Sequence, residues 1–169
     1  ISKYDGTSFK YWGSSDGLPS AYMQALAFDK KGNLWIGSYA GLIKFDGTNF
    51  TTYTSIDGLV GNNIVGVAVD KNGNVWAAES SSGISKYNGI SFTNYTTTNG
   101  LIDNYTFAIS VDKNNNVWIG TMKGVSRYNG ASFTNFTTAD GIKSNEVRAI
   151  TNDLNGNVWL GTYGGGVTK

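Results

Sequence analysis

The chain has 169 residues and a formal net charge of +1, and it contains neither cysteine nor histidine. These two absences exclude disulfides, thiol chemistry and the usual histidine-based catalytic and zinc sites. Only 15% of the residues are charged, and there is no basic tract or long apolar run, so we expect neither nucleic acid nor a membrane as a partner of this segment. The sequence does not begin with Met and shows no signal peptide, which favours a mature or excised piece of a longer protein.

A seven-residue pattern, D-x-x-[GN]-N-[LV]-W, recurs four times and divides the chain into four units. The Trp residues that end it are spaced by 41, 42 and 41 positions, and they are Trp35, Trp76, Trp118 and Trp159. In chain order, each unit shows a strand that ends at the Asp, a strand that carries the Trp, a third strand and a fourth strand. Gly- and Asn-containing turns separate these strands, and helical periodicity is absent. Four antiparallel strands per period of about 40 residues are typical of a β-propeller blade.

The predicted fold is therefore an all-β β-propeller built from four four-stranded blades, in a single repeat domain that covers residues 1–169. The predicted units cover residues 16–56, 57–98, 99–139 and 140–169, the last completed by residues 1–15. Ile1–Lys3 and Val167–Lys169 occupy equivalent positions, so we expect the N-terminal strand to close the terminal blade and to remove an exposed sheet edge. The first expectation is a homodimer that closes an eight-bladed ring by strand exchange. A monomer closed as four blades is the second, and a slice of a larger propeller is the third.

Three recurring features are predicted to be structural. The stretch Asp70–Asn74 resembles the oxygen spacing of a calcium loop, but a downstream acidic ligand is missing, so we interpret it as a hairpin corner and expect no metal and no cofactor. The Trp is predicted to pack between neighbouring blades. A cation recurs in the third strand and could pair with the recurring Asp; its positions are Lys3, Lys44, Lys86, Arg127 and Lys169.

One face of the predicted propeller varies between units. The turns between strands 1 and 2 and between strands 3 and 4 are nearly constant, whereas the connections between strands 2 and 3 and between strands 4 and 1 diverge. We take the variable positions as candidate ligand-binding residues, and they are Tyr22, Gln24, Tyr39, Asn63, Glu79, Tyr105, Phe107, Met122, Glu146, Arg148 and Tyr163. Aromatic faces beside carboxylates and amides suit a carbohydrate or another small polar ligand.

Three functions are compatible with this pattern. The first is a non-catalytic binding or sensing module. The alternative is a structural or assembly module, an excised or engineered propeller fragment with no ligand of its own. Catalysis is the third, and it is disfavoured because Glu79 and Glu146 are the only Glu residues of the chain and nothing in the sequence places them together.

The combination of Gly58-Leu59, Asn63, Asp70, Gly73-Asn74 and Trp76 resembles the two-component regulator propeller repeat, and the resemblance extends over all four units. It implies sensor propellers of hybrid two-component systems, a periplasmic or extracellular location and a link to polysaccharide sensing. Two departures are Ala77-Ala78, in place of an apolar residue and Gly, and Asn115, in place of the turn Gly.

Overall fold

The computed structural model describes residues 1–19 and 22–169, which form 17 β-strands in five antiparallel sheets. A hairpin of β1 (Ser2–Tyr4) and β2 (Phe9–Tyr11) comes first. The first four-stranded sheet contains β3 (Met23–Phe28), β4 (Leu34–Ser38), β5 (Gly41–Phe45) and β6 (Phe50–Tyr53). The second contains β7 (Ile64–Val69), β8 (Val75–Glu79), β9 (Gly83–Tyr87) and β10 (Phe92–Tyr95). The third contains β11 (Thr106–Val111), β12 (Val117–Thr121), β13 (Gly124–Tyr128) and β14 (Phe133–Phe136), and a three-stranded sheet of β15 (Val147–Asn152), β16 (Val158–Thr162) and β17 (Gly166–Thr168) ends the chain.

Each four-stranded sheet is an up-and-down meander in chain order, and the sheets stand side by side in a row. The first strand of each sheet packs against the first strand of the next, in the order β3, β7, β11 and β15. These four strands are called the innermost strands. This arrangement confirms the predicted all-β fold of propeller-type sheets. None of the helical segments in the described residues is long and apolar enough to cross a membrane.

An aspartate fixes the hairpin between the first and second strands of each unit. In the second unit, Asp70 Oδ1 accepts the N–H groups of Asn72 and Asn74 at 2.9 Å. Its Oδ2 accepts Asn74 Nδ2 at 2.7 Å and Trp76 Nε1 at 3.0 Å. Burial alone would raise the pKa of Asp70, but these hydrogen bonds outweigh it and lower the pKa below its usual value. Because protein donors occupy the carboxylate, the motif is a hairpin corner, as predicted.

Trp35, Trp76 and Trp118 pack between neighbouring units, as predicted, whereas Trp159 of the last unit is 36% exposed. Trp76 is 1% exposed, and its ring lies 5.7 Å from that of Tyr95 in its own unit and 5.6 Å from that of Tyr128 in the next unit. The recurring cation lies opposite the Trp across the ladder, and Lys86 Nζ is 5.5 Å from the Trp76 ring centroid. The suggested pairing of these cations with Asp is wrong for the described residues, whose ion pairs are Lys123–Asp103 and Arg148–Glu146. Lys86, Arg127 and Lys169 instead lie over the rings of Trp76, Trp118 and Trp159.

The two ends of the row do not meet. Within the described residues β1 pairs only with β2, and β17 pairs only with β16. The hairpin packs on the first sheet, where the Trp12 and Phe45 rings are 5.3 Å apart. The closed four-bladed ring is therefore not the arrangement of this structure, because its first and last sheets lie at opposite ends of the row. Strand exchange between two chains stays a prediction.

Candidate functional site

The candidate face is formed by two connections of each unit, one between strands 2 and 3 and one between strand 4 and the next strand 1. Backbone hydrogen bonds join the two connections, from Tyr39 to Tyr22 (3.2 Å), from Ser80 to Asn63 (2.9 Å), from Met122 to Tyr105 (3.0 Å) and from Tyr163 to Glu146 (2.8 Å). The first unit's connection also includes residues 20 and 21, which lie outside the described part of the chain. Most of the predicted positions therefore lie side by side within each unit.

A β-bulge near the start of each innermost strand aims one side chain away from the ladder. The pairing register skips one residue at the same place in every unit, and the skipped residues are Gln24, Val65, Phe107 and Arg148. A bulge bends the strand and redirects the side chain it carries. Four equivalent backbone positions thus present an amide, an aliphatic group, an aromatic ring and a guanidinium.

Arg148 is the centre of a cluster that joins the third and fourth units. Its guanidinium carbon lies 4.6 Å from the ring centroid of Phe107 and 5.3 Å from that of Tyr163. Arg148 Nε donates to Glu146 Oε1 at 2.7 Å, and a second guanidinium nitrogen contacts the same oxygen. The side chain of Arg148 is 54% exposed, so this ordered guanidinium keeps further donors for a ligand.

The first and second units place other predicted residues together. The Tyr22 and Tyr39 rings meet edge to face at 5.4 Å, and both are largely exposed. Gln24 Nε2 donates to Asn63 Oδ1 at 2.8 Å, which links the bulge of the first unit to the connection of the second. These contacts hold an aromatic pair and an amide pair at the same face.

The predicted place of Glu79, in the connection that follows the second strand, is wrong, because Glu79 is the last residue of β8. Glu79 pairs with Ile64 across the ladder, which places it with Ser38, Thr121 and Thr162, one residue before the exposed positions. It is 4% exposed, and its Oε2 accepts the N–H of Ser81 at 2.9 Å. The connection that follows is one residue longer in this unit than in the first and third units, and Ser80 takes the place equivalent to Tyr39.

In the third unit, Asp103 and Lys123 lie beside the predicted residues, although the comparison of the repeats missed both. Tyr105 and Met122 are about half exposed, as expected of a ligand face. Beside them, Asp103 is 6% exposed, and its Oδ2 has no hydrogen-bond donor among the described residues. Lys123 Nζ approaches that oxygen at 3.8 Å. The only signal in the sequence was an acidic residue at a position where the next unit carries Ser144.

Cavities of about 640 and 370 Å³ lie elsewhere in the described part of the structure, and neither is lined by a predicted ligand-binding residue. Glu79 and Glu146 come from different units, and each is engaged by a local donor. The geometry therefore offers stacking rings and directional polar groups, and it does not assemble a pair of carboxylates.

Three of the four units match the model of a known protein family. The model of the family described as two component regulator propeller matches residues 17–40, 100–123 and 141–164. A search of curated proteins finds no match. Two similar solved structures are extracellular domains from B. thetaiotaomicron. One, described as a hybrid two component system, has a TM-score of 0.83 and 22% identity, over 95% of this chain and 23% of that one.

The second B. thetaiotaomicron domain, described as a one component system, has a TM-score of 0.72 and 21% identity, over 86% of this chain and 22% of that one. This chain thus spans less than a quarter of the length of either. A catalytically inactive virginiamycin B lyase from Staphylococcus aureus, solved with quinupristin, has a TM-score of 0.70 and 17% identity, over 88% of this chain and 55% of that one. At these identities the structural likeness shows the fold alone.

The second unit, which the family model does not match, carries Ala78 where the others carry a glycine. At Gly120 that glycine allows a close approach, since an added Cβ would lie 2.5 Å from the carbonyl oxygen of Val147. The family match to three units agrees with the four-fold pattern of the whole chain. Three of the four units therefore match the two component regulator propeller model, in agreement with the resemblance seen in the sequence.

Proposed function

We propose that this chain is a non-catalytic binding or sensing module whose ligand contacts the connections between strands 2 and 3 and between strands 4 and 1. The observation that carries the proposal is the set of four bulges. One backbone geometry is repeated four times, yet it presents Gln24, Val65, Phe107 and Arg148 on one face. A repeated scaffold with different side chains at its redirected positions is suited to recognition of an asymmetric ligand.

The chemistry of the face favours a carbohydrate or another small polar ligand. Exposed tyrosines offer ring faces for stacking, and the amides and the Glu146–Arg148 pair offer directional hydrogen bonds. Arg148 is held between two rings, so little side-chain entropy is lost when it binds.

Two comparisons support the sensing role and its location. The repeat family is described by its part in two-component regulation, and two similar structures are extracellular domains. We therefore place this module in the periplasm or outside the cell. The lyase with a similar fold was inactivated by replacing a histidine with alanine, whereas this chain contains no histidine, which supports a role without catalysis.

A binding titration tests the proposal. The full chain is titrated with a panel of neutral and acidic oligosaccharides and followed by amide chemical shifts. A triple variant, Gln24→Val, Phe107→Val and Arg148→Val, gives every bulge the residue that the second unit already has, so we expect the fold to be kept and binding to be lost. The matched control is Ile90→Ala, which places the residue of the third unit in a turn on the opposite face.

The outcomes separate clearly. Binding to the native chain and to the control, with loss in the triple variant, supports the proposal. Unchanged affinity in the triple variant contradicts it, and so does a native chain that binds no sugar of the panel. In the latter case the exposed ends of the row favour the second candidate function, that of an assembly module.

A further inference from the structure

The N-terminal end of the row exposes an apolar groove of about 640 Å³ between the β1–β2 hairpin and the first four-stranded sheet. Trp12, Leu26, Phe28 and Phe45 contribute to its lining. Leu26 is 59% exposed, whereas Val67 at the same position of the second unit is 8% exposed because the preceding unit covers it. The groove is therefore the surface that a preceding unit covers elsewhere in the row.

The C-terminal end of the row exposes the opposite surface, which a following unit covers elsewhere in the row. A cavity of about 370 Å³ there is lined by residues that include Trp118, Phe136 and Leu160. Trp159 is 36% exposed, although its counterpart Trp76 is 1% exposed. The last sheet has three strands in the described residues, and β17 is its edge.

The aromatic side chains show which surface fits the C-terminal cavity. Between the second and third units, Trp76 and Tyr95 of one unit contact a Tyr–Phe pair of the next, Tyr128 and Phe133. At the C-terminal end, Trp118 and Phe136 are stacked at 5.8 Å in the same way, but no such pair lies beside them in the described part of the chain. The stacked Trp118 and Phe136 are thus present without the Tyr–Phe pair that packs on the equivalent rings between the second and third units.

The other half is exposed on the N-terminal hairpin. Tyr4 and Phe9 are 57% and 59% exposed, with ring centroids 4.9 Å apart at an interplanar angle of 36°. The Tyr128–Phe133 pair has nearly the same geometry, at 4.9 Å and 40°. The hairpin therefore already holds the arrangement that the repeated cluster requires.

We propose that the β1–β2 hairpin of one copy of this chain binds the C-terminal sheet β15–β17 of a second copy. Tyr4 and Phe9 then pack on Trp118 and Phe136, and Trp159 enters the groove beside Trp12 and Phe45 of the second copy. The contact reproduces an interface that the chain already forms between its own consecutive units.

The hairpin of a second copy is a better partner for the C-terminal sheet β15–β17 than the hairpin of the same chain. The hairpin is held at the first unit by Trp12 and Phe45, and the packing of Ile1 with Ile36 and Ile43 adds to this. Reciprocal contacts between two copies place each β1–β2 hairpin on a C-terminal sheet and close a ring of eight units. Because β1 and β17 occupy equivalent positions of the repeat, one of the two must leave its present strand partner when the contact forms.

The native mass of the full chain in solution tests the proposal. Light scattering is expected to give about twice the chain mass of 18.1 kDa. The double variant Tyr4→Ser with Phe9→Ser is expected to give the monomer mass, and Ile90→Ala is the control for loss of an exposed apolar side chain away from both ends. A monomer of the native chain at its highest soluble concentration overturns the proposal, as does dimerisation of the double variant.

Complementation separates a broken interface from a misfolded variant. Trp159→Ser damages the C-terminal end only, and the double variant damages the N-terminal end only. Each is expected to be a monomer alone, but a mixture retains one intact pair of ends and is expected to regain the doubled mass. A mixture that stays monomeric, while both variants keep the native circular dichroism, contradicts the proposal.

Discussion

The hairpin corner allows a test between two sites that differ mainly in burial, and otherwise by the hydrogen bond that Asn72 N–H donates to Asp70, which has no counterpart at Asp153 in the described residues. Asp70 and Asp153 both accept Trp Nε1 at 3.0 Å and Asn Nδ2 at 2.7 Å. Trp76 is 1% exposed, however, whereas Trp159 is 36% exposed. In Asp70→Ala the indole N–H is left without a partner in a buried place that water does not reach.

The magnitude follows from the cost of an unsatisfied group. A buried donor that loses its partner costs about 1–3 kcal/mol, so we expect Asp70→Ala to lower the free energy of unfolding by about 3 kcal/mol with the backbone contacts included. That is a large share of a typical total of about 5–15 kcal/mol. Asp153→Ala is expected to cost clearly less, since water reaches the Trp159 indole.

Urea unfolding followed by Trp fluorescence measures both losses. The comparison is made in chains that also carry Tyr4→Ser and Phe9→Ser, so that a dimer does not bury Trp159. Equal losses for the two Asp variants, or a loss for Asp70→Ala no larger than that for Asp153→Ala, would refute the reasoning that burial sets the cost.

Three further predictions follow from the same structure. The corner carboxylates have a lower pKa in the folded than in the unfolded chain, so their contribution to stability is present above about pH 4 and lost as pH falls further; urea midpoints across this range measure it. Gly120→Ala brings a Cβ within 2.5 Å of a carbonyl oxygen and is expected to cost about 1–3 kcal/mol in urea unfolding, more than the control Gly161→Ala, whose nearest contact is 3.2 Å. Deletion of residues 167–169 removes the segment that competes with β1, so light scattering on dilution should show tighter dimers; weaker dimers would contradict the overlap of β1 and β17.

Most of the fold could be predicted because its determinants are local. The Asp, Asn and Trp of each corner lie within seven residues of one another, and their mutual hydrogen bonds make the same hairpin wherever the pattern occurs. The strand order of each sheet follows from short turns, which connect antiparallel neighbours. The four-fold repetition then requires neighbouring units to pack in the same way.

The candidate site was only partly predictable. The variable connections were recognised correctly as one face, but Glu79 was aligned with Tyr39 although it follows its Trp by three residues and Tyr39 follows by four. The longer connection after Glu79 concealed this difference. The pairing of the recurring cations was also mispredicted, because the cross-strand register that puts Lys86 opposite Trp76 is a property of the sheet. Asp103 was missed because its burial depends on packing around the connection.

The sequence by itself thus determined the repeat, the strands, the hairpin corners and the Trp positions, since each depends on residues close together in the chain. Only the tertiary structure decided which side chains the bulges redirect, that Arg148 lies between Phe107 and Tyr163, and that the two ends of the row stay apart. The physical reason is that these features depend on contacts between units, whose relative orientation results from the packing of whole sheets and is not encoded in any one repeat.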